Sequence, residues 1–284
     1  MKILLFGKTG QVGQSLIKKL SNESDFHFYG RDECDFENID NISKVISNVQ
    51  PDYIINAAAY TNVENAEQSR ETCSNINVKA VSKIAREAIK HDAILIHFST
   101  DYIFEGTSKK PYKETDNPAP INFYGKSKLL GEKEIKNSGC KYYILRTSWV
   151  VSRNGSNFIN KMIDKFHTKE IIEVVDDQVG IPTTADFIAE NVIKLINKKF
   201  IQNEVFNLTP IGETSWYGLA VYLYDRLKTN NKLMSDPKII PVKSEKFKTI
   251  AKRPKNSRLD SSKIQSHLMV SFLKWSDYID DIIN

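Results

Sequence analysis

Tyr124 and Lys128 stand four residues apart in the run Tyr124-Gly-Lys-Ser-Lys128. On a helix, positions i and i+4 share one face, so a phenol and an ammonium placed there can address the same bound molecule. A phenol of ordinary pKa, roughly 10, is a poor acid-base group at neutral pH, and a neighbouring cation favours its phenolate. The spacing alone is common. It gains weight from Ser99-Thr100-Asp101, which follows a short apolar run and puts Thr100 24 residues before Tyr124. That separation suits a hydroxyl–tyrosine–lysine arrangement at the carboxyl edge of a sheet, where open α/β folds bind ligands. Asn77 has two readings: an anchor for a water that relays protons to Lys128, or an ordinary packing or capping asparagine of its helix.

A cofactor end is expected as well. Gly7-Lys-Thr-Gly10-Gln11-Val12-Gly13 follows the apolar run of residues 2–6 and precedes apolar residues at helical spacing. Glycines in that position let the backbone approach a pyrophosphate whose charge a helix N-terminus holds. The Gly-x-x-Gly-x-x-Gly spacing matches extended short-chain dehydrogenases. Tyr29-Gly30-Arg31-Asp32 ends the second expected strand. An acidic residue there favours NAD and a basic one accommodates the extra phosphate of NADP. Arg31 tilts the reading toward NADPH, and Asp32 keeps NADH open. The small residues of Asn56-Ala-Ala-Ala59 would let backbone pass close to a cofactor.

The elements that must position these groups read as a Rossmann-type, doubly wound parallel sheet with a smaller α/β lobe. Strands are expected at 2–6, 26–29, 53–56, 93–98 and 142–146, with helices at 11–20, 39–49, 71–90 and 122–136 between them. Beyond residue 147 the alternation breaks down into helical stretches at 157–166, 184–198 and 215–228, with apolar runs at 171–175, 204–208 and 238–242. The expected division is residues 1–147 for the dinucleotide, with segments near 175–208 returning to that domain, and 148–284 mainly for the substrate.

The chain has 284 residues, 40% hydrophobic and 26% charged, enough to bury a full core. Lys and Arg number 40 against 35 Asp and Glu, a net charge of +5 that suits anionic small molecules and is too scattered for nucleic acid. The densest basic run, Lys246 to Lys255, reads equally as a solvated face or a phosphate-facing one. Cys34, Cys73 and Cys140 are isolated, so neither a disulfide framework nor a metal site is expected. His97 reads as a strand residue rather than a ligand. The N-terminal apolar run is too short for a signal peptide, and no stretch approaches the roughly 20 apolar residues of a membrane span. A cytoplasmic protein is expected.

Several segments together resemble the dTDP-4-dehydrorhamnose reductase family over nearly the whole chain. They are Phe6-Gly-Lys-Thr-Gly-Gln-Val-Gly13, Pro51-Asp-Tyr-Ile-Ile-Asn-Ala-Ala-Ala-Tyr-Thr61, Ser99-Thr-Asp-Tyr-Ile-Phe104, Tyr124-Gly-Lys-Ser-Lys-Leu-Leu-Gly-Glu132, Leu145-Arg-Thr-Ser-Trp149 and Arg253-Pro-Lys-Asn-Ser-Arg-Leu-Asp260. The resemblance implies reduction of the C4 ketone of dTDP-4-dehydro-L-rhamnose to dTDP-L-rhamnose, a donor for bacterial polysaccharides. It makes Tyr124 the proton donor to the C4 alkoxide and Lys128 the residue that holds the nicotinamide ribose and tunes Tyr124. Thr100 would hydrogen-bond the ketone oxygen. Asp101, Tyr102 and Trp149, with Val63 nearby, match positions that grip the sugar. Gly10, Gln11 and Val12 match the phosphate loop, Asp35 and Phe36 the adenine pocket, and Ala59, Tyr60 and Thr61 the middle of the cofactor. Residues 256–258 would border the nucleotide-sugar. Some family members carry a carboxylate just after the glycine loop and bind magnesium across a dimer. Gln14 and Ser15 stand there instead, which argues against a metal-bridged dimer and leaves a homodimer open.

The 4,6-dehydratases of similar architecture carry Asp-Glu after the threonine, whereas Tyr102 follows Asp101 here, so dehydration is disfavoured. A reductase of another nucleotide-linked 4-keto-6-deoxy sugar, and a non-catalytic regulatory subunit such as that of methionine adenosyltransferase, are the alternatives. The intact Thr100, Tyr124 and Lys128 argue against the latter.

Overall fold

Short strands buried on both faces build the centre of the molecule. The computed structural model describes residues 1–20, 25–233 and 235–283. Strand β1 (Ile3–Phe6) leads into α1 (Gln11–Leu20), β2 (Phe26–Tyr29), α2 (Ile39–Val49) and β3 (Tyr53–Asn56). There follow α3 (Val63–Ala66), α4 (Arg70–Ser74), a π-turn (Asn75–Lys79), α5 (Ala80–Lys90) and β4 (Ile94–Thr100). A short 3₁₀ turn (Asp101–Ile103), α6 (Phe123–Ser138) and β5 (Lys141–Thr147) complete the first half.

The second half contains β6 (Val150–Val151), α7 (Phe158–Thr168), β7 (Ile171–Val175), β8 (Val179–Gly180), β9 (Thr183–Thr184), α8 (Ala185–Asn197) and β10 (Glu204–Asn207). It ends with β11 (Thr214–Ser215), α9 (Trp216–Thr229), β12 (Lys238–Val242), α10 (Ser262–Leu268) and α11 (Trp275–Ile283).

Among the described residues the main sheet runs β2-β1-β3-β4-β5-β10, every pairing parallel. Its order reverses between β1 and β3, the crevice where such sheets take ligands at their carboxyl ends. Both faces are covered, so the strands are apolar on both sides. Ile3, Leu5, Ile55, Ile96 and Leu145 pack with α1 and α8, while Leu4, Phe6, Ile54, Leu95 and Ile144 pack with α2, α5 and α6. A separate apolar cluster joins α7, α9, α11 and β7 through Ile159, Met162, Phe166, Val174, Leu219, Leu223 and Ile279. The short pairs β7–β12, β6–β9 and β8–β11 lie outside the main sheet.

Many expected boundaries shift by one or two residues, and two differences bear on the site. The single helix read at 71–90 is interrupted by the π-turn at Asn75–Lys79, which reorients Asn77 into the interior. Strand β4 runs to Thr100 rather than stopping at Phe98, so this threonine is the last residue of the strand. No helix among the described residues is long and apolar enough to cross a membrane.

Candidate active site

The crevice at the sheet's carboxyl edge is a cleft of about 890 Å³. Its wall includes Gly7, Gly10, Gln11, Val12, Arg31, Asp35, Phe36, Ala59, Tyr60, Thr61, Val63, Thr100, Asp101, Tyr102, Tyr124, Lys128 and Trp149. Of the three loop glycines only Gly13 does not reach it, and its role is contact inside the loop. A Cβ on Gly13 would lie 2.1 Å from the Gly7 carbonyl oxygen, so only glycine lets α1 close onto the loop. Gly7 itself has φ +92°, and a Cβ there would meet the Ala57 carbonyl carbon at 2.6 Å. The first turn of α1 carries no acidic side chain, which leaves its partial positive charge available to an anion.

At the second strand the carboxylate that folds back is Glu33, not the Asp32 considered from sequence. Glu33 Oε2 accepts the Gly30 N–H at 2.7 Å and its carboxylate pairs with Lys8. Asp32 does not line the cleft. Arg31 is 69% exposed, paired with Glu37 at 2.9 Å and Asp35 at 3.7 Å.

The Tyr124 end of the cleft is assembled by close packing of α6 on the turn after β4. Asn122 caps α6 by accepting the Gly125 N–H at 2.8 Å, and a Cβ on Gly125 would lie 2.1 Å from the Tyr102 carbonyl oxygen. The helix start therefore sits directly on Tyr102, whose ring meets Tyr124 edge-on with centroids 5.7 Å apart. Thr100 Oγ1 donates to Asp101 Oδ1 at 2.9 Å and accepts the Tyr102 N–H at 3.2 Å. Burial pushes the Tyr124 phenol above its ordinary value, the contact with the Thr100 hydroxyl countering part of the rise. This reverses the lowering expected from Lys128. The physical reason is the phenol's own burial, to which the nearby Asp101 and Cys73 add; Lys128 is itself buried and brought down to about 8 by desolvation. Its Nζ faces His97 Nε2 at 3.3 Å, behind the cleft.

Asp101 is 2% exposed and raised to about 6 by burial, the Ser257 and Thr100 hydroxyls opposing the rise. Its Oδ2 has no hydrogen-bond partner among the described residues.

Asn77 does not have the free side chain a water anchor would need. Its Oδ1 accepts the Tyr60 N–H at 2.9 Å, and Nδ2 donates to Tyr60 O at 3.0 Å and Ser127 Oγ at 2.9 Å. It ties the Ala59–Thr61 wall to α6 through Ser127.

Over its full length the chain matches the family described as RmlD substrate binding domain, across residues 1–284. It is 36% identical to the dTDP-4-dehydrorhamnose reductase of Escherichia coli strain K12, covering 100% of this chain and 97% of that one. The chain belongs to the dTDP-4-dehydrorhamnose reductase family. Two crystal structures of similar proteins agree in shape. The Bacillus anthracis dTDP-4-dehydrorhamnose reductase in complex with NADP has a TM-score of 0.93 at 31% identity, covering 100% of this chain and 99% of that one. An ortholog from Clostridium acetobutylicum also has a TM-score of 0.93, at 33% identity and with 100% and 98% covered.

A dinucleotide fits the cradle of this reductase-family cleft. The loop is glycine where a Cβ would fill it, and the helix N-terminus is uncompensated. Tyr124 and Lys128 lie in the same cleft wall.

Some contacts escaped the sequence reading, including those of two residues it had singled out, Trp149 and Gln11. Trp149 adopts φ +44°, rare for an aromatic residue. Its ring stacks on Trp216 at 3.4 Å, and its other neighbour, Gly180, has room for no Cβ. Gln11 also reaches across the cleft, accepting from Ser152 Oγ at 2.8 Å and Asn157 Nδ2 at 3.0 Å. Glu64 pairs with Arg253 at 2.9 Å and so ties α3 to the basic run. Asn256 and Arg258 fall on a second, smaller recess with Ser108, Arg253 and Lys255, whereas the Ser257 hydroxyl acts on Asp101.

Proposed function

We propose that this chain reduces the C4 ketone of dTDP-4-dehydro-L-rhamnose to dTDP-L-rhamnose, with NADPH favoured and NADH the alternative donor. The observation that carries the reading is the convergence of Thr100, Tyr124 and Lys128 with the glycine loop in one cleft. The bound nicotinamide supplies the hydride. Tyr124 keeps its proton because burial disfavours the phenolate, which suits a group that must give a proton to a developing alkoxide. Thr100 holds the ketone oxygen from the end of β4. Lys128 holds the ribose hydroxyls and, when protonated, steadies the phenolate left behind. Gly7, Gly10, Gln11 and Val12 form the phosphate cradle, onto which Gly13 lets α1 close, with Asp35 and Phe36 on the adenine side and Ala59, Tyr60 and Thr61 in the middle. Val63, Asp101, Tyr102 and Trp149 surround the sugar. Residues 1–147 with the segments near 175–208 form the cofactor domain, and the remainder of 148–284 mainly the substrate lobe. The reading places the protein in the cytoplasm, acting on a nucleotide-sugar, with a homodimer as the assembly to look for by light scattering.

Loss of NADPH absorbance with dTDP-4-dehydro-L-rhamnose, and NMR of the product, test the assignment. Turnover confined to a different 4-keto-6-deoxy sugar would redirect it.

Asp101 gives a prediction with a sign. Its folded pKa, about 6, lies above the ordinary 3.8, so the folded state keeps a proton the unfolded chain has lost. Stability contributed by this group is present below about pH 4 and is lost as pH rises through 6. Asp101→Asn should therefore stabilise the fold by about 1–3 kcal/mol at pH 7.5 and by almost nothing at pH 4. The same change should raise KM for the sugar, because Asp101 lines the cleft beside Tyr102 and the substitution replaces a carboxylate there with an amide. Urea melts at the two pH values, with sugar titrations, check both effects.

For the cofactor, Arg31→Ala should lower the NADPH to NADH ratio of kcat/KM by about tenfold, the equivalent of one good exposed phosphate contact. An unchanged ratio would move the preference to Lys8.

A further inference from the structure

Lys128 meets a histidine, not a carboxylate, at the back of the cleft. Its Nζ lies 3.3 Å from His97 Nε2, and the two residues are 2% and 0% exposed. The other ring nitrogen, Nδ1, lies 3.1 Å from Asn56 Nδ2 on the neighbouring strand. A third contact fixes the direction of that pair, because the Ala58 backbone N–H donates to Asn56 Oδ1 at 3.1 Å. A backbone N–H can only donate. Oδ1 therefore faces Ala58, and the amide nitrogen, a donor only, faces His97. Nδ1 must accept, which leaves the proton of the neutral imidazole on Nε2. That N–H points at Lys128. An ammonium there would set donor against donor, whereas a neutral amine offers a lone pair.

We propose that Asn56 and His97 form a tautomer lock that presents an N–H to Lys128 and so sets the charge state of the catalytic lysine. Both are positioning residues, since neither lines the cleft. Burial acts in the same direction, holding Lys128 down to about 8 and His97 well below its ordinary value. Against it stand Glu132 on the same helix and Cys73 on α4, which favour the ammonium. Glu132 is already engaged by Arg146 of β5 and Ser99 of β4. Tyr124, one turn earlier on α6, and Asp101, in the turn after β4, complete the titratable surroundings, with Glu67 acting on Cys73. The functional consequence rests on the reductase reading, in which protonated Lys128 supports turnover. The enzyme's kcat/KM then falls as pH rises through the lysine's titration, and the lock draws that limb toward neutrality.

Ring ¹⁵N spectra of histidine-labelled full-length protein test the lock without any assay. His97 is assigned by the signal that persists without titrating between pH 6 and 9 and changes in Asn56→Asp. The expected state is neutral with the proton on Nε2. A proton on Nδ1, or an imidazolium, overturns the proposal. Asn56→Asp retains an acceptor for Ala58 while turning an acceptor toward His97. The His97 proton should move to Nδ1, freeing Nε2 to accept from the ammonium, and the alkaline limb of kcat/KM should rise by about one pH unit or more. A switched tautomer with an unmoved limb would overturn the proposed control of Lys128. Failure of the reductase reading shows separately, as turnover surviving in Lys128→Met, and the ring-nitrogen signature decides the lock in either case.

Discussion

Replacing Tyr124 with Phe is expected to lower kcat by about 10²–10⁴-fold, the usual worth of a positioned general acid, with KM values within a few-fold of the parent. The change removes one oxygen and leaves the packing. The ring's edge-on contact with Tyr102, the Asn122 cap and the close approach of Gly125 to Tyr102 do not involve the hydroxyl. The melting temperature should therefore hold, separating lost chemistry from lost structure. Direction matters too. Because burial keeps the phenol protonated, reduction needs no prior ionisation, whereas the reverse oxidation needs the phenolate and should have its optimum at higher pH. Steady-state kinetics in both directions check this. A loss smaller than about tenfold would transfer the proton-donor role, with Asp101, at about 6, the nearest replacement.

The parts of this site that sequence disclosed are those whose chemistry is local. Gly7 and Gly13 are glycine because a backbone conformation and a contact six residues away require it. Tyr124 and Lys128 share a face because helix geometry repeats, and the alternation of Ile3 and Leu5 with Leu4 and Phe6 between the two apolar layers follows from the pleat.

What stayed hidden depends on pairings between distant segments. Asn56 and His97 meet across two strands and 41 residues, so His97 read only as a strand residue. Trp216 becomes a wall for Trp149 through the fold of the second lobe, where strands of two residues leave no periodic trace. The π-turn at Asn75–Lys79 inserts into a helix whose apolar pattern continues on both sides. Glu33 and Asp32 are equivalent in a sequence, and only the hydrogen bond from Gly30 selects between them.

Arg146→Met is expected to destabilise the fold by about 3–5 kcal/mol at neutral pH, since it strands a buried carboxylate. Arg146 and Glu132 are 1% and 0% exposed. The pair is bidentate, Nε to Oε1 at 3.0 Å and Nη2 to Oε2 at 2.8 Å, with Ser99 Oγ donating to Oε1 at 2.6 Å. Burial alone would raise the Glu132 carboxyl, but the Arg146 and Ser99 hydrogen bonds and the guanidinium charge hold it below its ordinary value. Its contribution to stability is therefore present above the unfolded pKa and lost as pH falls through the folded one. Without Arg146 the sign reverses. Glu132 would then titrate above its ordinary value, and the cost of the substitution should shrink as pH falls toward 5 and the carboxyl takes up a proton. Adding Glu132→Leu should recover much of the loss, because an apolar pair carries no desolvation penalty. Urea unfolding of the single and double variants at pH 7.5 and 5 measures both effects, and a cost below about 1 kcal/mol at pH 7.5 would mean that water reaches the carboxylate. The pair also bolts α6 onto β4 and β5 one turn beyond Lys128. The single variant should therefore lose kcat under conditions where it is still folded, and the double variant should regain stability more fully than turnover.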